Sequence, residues 1–141
     1  MAFETLIKEL KDFEMSIEDL VIEFVDEAQA IELNSFAQLH QGRDANDDPI
    51  APAYTPFTVK IKRAKGQPTN RVTLFDTGDF YEGFKVVKSQ NEFFVTSTDE
   101  KTASLKRKYG DDIFGLTDDS KDELRKEITP LLIQSFRKLL T

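Results

Sequence analysis

Four of the five prolines in this chain, Pro49, Pro52, Pro56 and Pro68, crowd one stretch near its middle. Proline has no backbone N–H and a fixed φ, so it cannot sit in a central strand or in a helix interior. This run therefore divides the sequence into a helical first third and a later part where β and helical patterns return. A length of 141 residues suits one domain with a sizeable core. Its regions read as 1–41 helical, 42–76 Pro-rich loop, 77–116 β-hairpin and short helix, and 117–141 C-terminal helix. The expected class is α+β, with long N-terminal helices and a C-terminal helix packed on a small antiparallel β-sheet.

The helical third carries its own punctuation. Phe3, Leu6, Ile7 and Leu10 recur at three- and four-residue steps and share one helix face. A break near Glu14 is followed by Ser16 as N-cap, with Asp19 in the capping-box position normally held by Glu or Gln. Met15 and Leu20 take the two positions of a hydrophobic staple. From Ile17 the apolar face runs through Leu20, Val21, Phe24, Ala28, Ile31, Phe36 and Leu39 to Gly42, a left-handed stop. That second helix would hold about 25 residues and extend roughly 37 Å.

Beyond the prolines, Asp76-Thr77-Gly78 reads as a cap for a short helical turn carrying Phe80 and Tyr81, with Asp76 or Thr77 supplying the capping oxygen. Phe84 to Lys88 and Glu92 to Thr96 flank Ser89-Gln90-Asn91 and predict a hairpin with a three-residue connection. Asp99 caps a helix from Glu100 to Tyr109, which Gly110 ends, and Asp112 to Leu116 reads as a short strand. Thr117 opens the last helix. Its first turns hold Asp118, Asp119, Asp122 and Glu123 and its end holds Arg137 and Lys138, matching the macrodipole. Leu124, Ile128, Leu131, Leu132, Phe136 and Leu139 form its apolar face, and Pro130 predicts a kink or break near Glu127.

No residue set in the chain forms a catalytic motif. Cysteine is absent, which removes disulfides, thiol catalysis and thiolate metal sites. Asp44, Asn46 and Asp48 match the first three ligand positions of a calcium loop, but Pro49 and Thr55 stand where that loop needs Gly and Glu. An Asx-rich turn is the simpler reading. His40, the one histidine, sits near a helix C-terminus, where a capping or surface role suffices. The carboxylates number 26, so many that no acid–base pair stands out. The expectation is a non-enzyme with no cofactor and no metal. Apolar runs are too short for a membrane span, and no export signal opens the chain. Twelve Phe against no Trp point to aromatic packing in the core or at an interface.

A net charge of −7 argues against a generic nucleic-acid binder. Within that acidic background, residues 49–75 contain no acidic side chain but hold Lys60, Lys62, Arg63, Lys65 and Arg71. This basic island has three readings: a solvated loop, a contact with an acidic protein neighbour, and a contact with DNA. Tyr54 and Phe57 beside it are expected to pack under the loop more than to stack on bases.

Three pieces of the chain share an order: Gln41 to Lys60 with its Gly-x-Asp and Pro-x-x-x-x-Thr-like elements, Leu74-Phe75-Asp76-Thr77-Gly78, and Ile113-Phe114-Gly115-Leu116 after Tyr109-Gly110. In that order and spacing, roughly residues 20–140 resemble the phage virion-morphogenesis, or tail-completion, family of head–tail joining proteins. Ile50 departs from it, standing where many relatives have Trp. Ring and connector proteins of crAss-like gut phages are the nearest in character. The resemblance implies a virion subunit assembled in the host cytoplasm, forming a cyclic homo-oligomer. Its implied partners are portal, connector or tail-tube proteins. In such a ring the island of Lys60, Lys62, Arg63, Lys65 and Arg71 is expected to face Asp111, Asp112, Asp118, Asp119, Asp122 and Glu123 of the next subunit. Each exposed pair would contribute about 0–1 kcal/mol. The alternatives are a small nucleic-acid-associated protein using the basic loop 60–71, and an interaction module unrelated to phage.

Overall fold

The structure, a computed structural model, describes residues 22–89 and 92–140, and the first predicted helix with the caps around Ser16 lies outside them. The described chain is a small α+β fold, as expected. Its elements are α1 (Glu27–Glu32), which runs on as π-helix Leu33–Gln38 and 3-10 turn Leu39–Gln41, then α2 (Pro56–Ala64) and α3 (Asp79–Glu82). Strands β1 (Phe84–Lys88) and β2 (Phe93–Ser97) follow, then α4 (Thr102–Tyr109), a 3-10 turn Asp111–Ile113 and α5 (Asp118–Leu140).

The expected long helix from Ile17 to Leu39 is corrected. The chain leaves helical geometry at residues 24–26 and restarts where Asp26, with extended backbone, accepts the Gln29 N–H on its own carboxylate at 3.2 Å. A good N-cap within an apolar run starts a new helix instead of prolonging the old one. Lys88 Nζ closes the break by donating to the carbonyl oxygens of Val25 (3.0 Å) and Glu23 (3.2 Å). After Glu32 the i→i+5 pattern widens the helix and shifts its phase. Asn34 and Gln38 therefore turn inward, while Phe36, assigned to the apolar face, stays 52% exposed. Gly42 is the left-handed stop that was expected, at φ 78.

Residues 42–76 are not all loop. Helix α2 starts with Pro56 in its first turn, where a missing N–H costs nothing, and the Thr55 hydroxyl accepts the Thr58 N–H at 3.2 Å. Downstream, Val72, Thr73 and Leu74 are buried without joining a ladder, and side chains satisfy the backbone of Thr73. The Thr73 N–H donates to the Tyr54 hydroxyl at 2.9 Å, and the Tyr81 hydroxyl donates to the Thr73 carbonyl.

Tyr81 carries a prediction. Burial holds its phenol above the ordinary tyrosine range. The neutral form is then favoured in the folded state, so its contribution is complete below the unfolded pKa of about 10 and is lost as pH climbs past it. Tyr81→Phe leaves the buried Thr73 carbonyl unpaired, at a cost of about 1–2 kcal/mol at pH 7. It should also flatten the stability loss above pH 10, which urea melts across that range will measure.

The sheet is the two-stranded antiparallel ribbon expected, with Lys88 opposite Phe93 and Phe84 opposite Ser97. The paired strand therefore starts at Phe93, not Glu92, although the Ser89 N–H still reaches the Glu92 carbonyl at 2.8 Å. Helix α4 starts at Thr102, not Glu100, and Lys101, not Asp99, holds its N-cap position. The Asp99 carboxylate accepts the Lys101 N–H at 3.1 Å ahead of it, and Gly110 ends the helix at φ 92. Residues 112–116 form no strand. They begin in a 3-10 turn, then are strapped to the first helix by side chains. Thr117 opens α5 by accepting the Ser120 N–H at 3.1 Å. Of the kink or break expected near Glu127, the break is absent, and α5 is one helix through Pro130. Leu124 and Ile128 are buried, but Leu131 and Ile133 are exposed.

Two hydrophobic clusters result. One joins Leu39, Ile50, Leu74, Phe80, Phe84 and Ile113, and the other joins Val25, Ala30, Leu116, Leu124 and Ile128. Val86 packs against both. Phe80, Phe84 and Phe114 form an aromatic triangle with centroids 5.0 to 5.7 Å apart.

Candidate functional site

The basic island lies mainly on and beyond α2, and the fold divides its members. Lys62 is buried, with its ammonium donating to the Phe75 carbonyl (2.7 Å) and to Gln67 Oε1 (3.2 Å), and lies 5.0 Å above the Tyr54 ring. Arg71 donates through Nε to the His40 carbonyl at 2.7 Å and through a terminal nitrogen to Asn70. Lys65 pairs with Asp76 at 2.5 Å. These three cations stitch α2, the 66–76 segment and the end of the first helix together. Lys60 and Arg63 point to solvent with no ion pair among the described residues.

Of the two residues expected to supply the cap, Asp76 or Thr77, Asp76 is engaged by Lys65 instead. Gly78 occupies the N-cap position of α3 at φ 96, and Thr77 Oγ1 accepts the Asp79 N–H at 3.4 Å. The hydrogen bond from Lys65 holds the Asp76 carboxyl below its usual range. With both side chains about half exposed, Asp76→Ala should cost less than about 1 kcal/mol. Because the folded pKa is depressed, that contribution is present above the unfolded value of about 3.9 and vanishes as pH falls below it. Urea melts of this variant and the parent should differ slightly at pH 7 and converge at pH 2 or in molar salt.

The acidic set is also divided. Asp122 pairs with Arg125 at 2.6 Å, Glu123 with Lys126 at 3.0 Å and Asp111 with Lys106 at 3.7 Å. Asp112 accepts from Asn46 Nδ2 at 2.8 Å. Asp118 and Asp119 are exposed in the first turn of α5. No ion pair joins the basic and acidic sets within one chain among the described residues.

Other candidates resolve simply. Asp44 Oδ1 accepts the N–H groups of Asn46 (2.9 Å) and Asp48 (3.0 Å), which is the Asx turn expected there. Among the described residues no group of three or more His, Asp or Glu is placed to hold a metal. Also among them, no helix is long and apolar enough to cross a membrane. The His40 ring packs between Phe36 and Phe75, each centroid 5.9 Å away. Tyr54 packs inside as expected, but Phe57 is 73% exposed.

Two features were not read from the sequence. One is the pair Asn34 and Gln38, four residues apart, which faces the 113–117 segment. Asn34 donates to the Ile113 carbonyl (3.0 Å) and accepts from the Gly115 N–H (2.9 Å). Gln38 donates to the Gly115 carbonyl (2.8 Å) and accepts from the Thr117 N–H (3.0 Å). Two amides at helical spacing within an apolar run were the available signal. The other is a groove of about 650 Å³ between β2 and α5, lined by Val25, Phe93, Phe94, Leu116, Leu124 and Ile128 among others.

No family model, curated protein or solved structure matches this chain. Functional reading therefore rests on its own residues: an apolar groove, an exposed aromatic on a cationic helix, and an exposed acidic helix start. That arrangement offers surfaces for protein contact.

Proposed function

We propose that this chain is a structural subunit of a tailed-phage virion, acting in head–tail joining or tail completion as one member of a ring at the portal–tail junction. One observation supports this above the others. The three separated pieces that carry the resemblance meet around one core, with Ile50, Leu74 and Ile113 buried in the same cluster. The divided charges favour protein contact over nucleic acid. With Lys62, Lys65 and Arg71 engaged within the fold, only Lys60 and Arg63 of the island remain for phosphates.

The test is the mass of the purified protein, alone and mixed with the portal and tail-tube proteins of the same genome. Electron microscopy of particles accompanies it. Association with the portal or tube and density in a ring at the joint are expected. Particles carrying the chain as a single internal copy would overturn the proposal. Duplex DNA retained in gel shifts at both low and high salt would favour the nucleic-acid alternative.

A further inference from the structure

Helix α2 is seated the wrong way round for a helix facing only water. Its one buried side chain is Lys62, while Phe57 and Ile61 stand 73% and 40% exposed one turn apart. A soluble surface helix normally buries its apolar residues and exposes its lysines. Lys60 and Arg63, three residues apart, are exposed along one side of this apolar pair. The outer face of α2 is therefore a short apolar ridge with two exposed cations along one side of it.

On the same molecule lies a surface of opposite character. The groove between β2 and α5 has apolar walls that include Phe94, itself 52% exposed. Its end at Ala45, Asn46 and Leu116 opens onto Asp47, Asp118 and Asp119. Lys106 and Arg125 also line the groove, but Asp111 and Asp122 neutralise them, which leaves Lys121 as the remaining cation against those three carboxylates. No residue of α2 lines the groove, so ridge and groove are separate patches. Among the described residues β2 pairs with β1 alone, on one of its two edges.

We infer that α2 of one copy docks into the β2–α5 groove of the next, with Phe57 and Ile61 entering the groove and Lys60 and Arg63 meeting Asp118 and Asp119. Helix α2 is nine residues, about 13 Å, long. Contact between two different patches of identical chains is heterologous and closes into a ring when the rotation per subunit allows. The closure into a ring rests on the virion reading above, whereas the contact itself is a property of the two surfaces. It refines the expected island-to-acid contact, removing Lys62, Lys65 and Arg71 from it.

The absence of native cysteine makes the test direct. Phe57→Cys and Phe94→Cys are made separately and mixed under mild oxidant, in solution and in assembled particles. Heterodimers in the mixture, with neither variant cross-linking alone, are expected. The double variant should give a ladder. Phe57→Asp should weaken self-association at least about tenfold, as loss of a buried aromatic anchor does, with an unchanged circular dichroism spectrum. Lys60→Glu with Arg63→Glu should weaken it too, and Asp118→Lys with Asp119→Lys should partly restore it. Cross-links of Phe57→Cys only with itself would overturn the inference by showing a two-fold contact. Cross-links of either variant only to the portal protein would overturn it while leaving the virion reading intact, and so would a ring that assembles normally with Phe57→Asp. The expected heterodimers without any portal or tube association would support the contact and overturn the virion reading instead.

Discussion

Asn34→Ala is expected to destabilise the fold by about 2–4 kcal/mol, the largest effect of any single polar substitution here. Asn34 has no exposed surface, and its amide satisfies both the Ile113 carbonyl and the Gly115 N–H. Truncation leaves the buried Ile113 carbonyl and the part-buried Gly115 N–H without their partner, each at a cost of about 1–3 kcal/mol. The segment they belong to has no ladder of its own. It keeps its path because the first helix reads it with side chains. Gln38→Ala should weaken the same strap, and the double variant should cost less than the sum because both losses free one segment. Urea and thermal melts measure this directly, with a fall in Tm of roughly 10 °C expected for Asn34→Ala. A loss below about 1 kcal/mol would show that water replaces the amide.

Gly42→Ala is expected to cost about 2–3 kcal/mol through two separable terms. The backbone there has φ 78, and a Cβ would lie 2.8 Å from Arg71 Cβ. Arg71 cannot simply swing away, since its Nε holds the His40 carbonyl at 2.7 Å. Gly66 supplies the control, with φ 73 and open space around its would-be Cβ. Gly66→Ala should therefore cost only the conformational part, about 1 kcal/mol. Equal losses for the two variants would show that the approach of Arg71 is immaterial.

What the sequence made legible was local. The stop at Gly42, the Asx turn at Asp44, the hairpin, and the opening of α5 at Thr117 each depend on residues within a few positions of one another. What escaped depends on long-range or compensating chemistry. Proline density hid α2, because Pro56 sits at the one helical position where proline helps. The helix before Gly42 was read with a constant period, and the widened turn after Glu32 broke that period. The partners of Asn34 and Gln38 lie 77 to 81 residues away, beyond any window of periodicity. Of the site, the opposite signs of charge were visible, but not which charges remain free. That division follows from where Phe75, Asp76 and His40 place their oxygens, and no linear pattern reveals it. The groove needs β2 and α5 side by side, which sequence spacing did not suggest.

Val86 touches both hydrophobic clusters from the middle of β1, paired across the ribbon with Val95. A shared side chain makes the loosening of one cluster a loss of packing for the other. The described region should therefore open as one unit, with amides around Leu39 and around Leu124 exchanging at similar free energies. The groove is lined by Leu116, Leu124 and Ile128 of one cluster and by Val95 and Phe114 of the other, so a load placed there would meet both clusters directly. That shared lining, with Val86 behind it, should make the described region respond to such a load as one body.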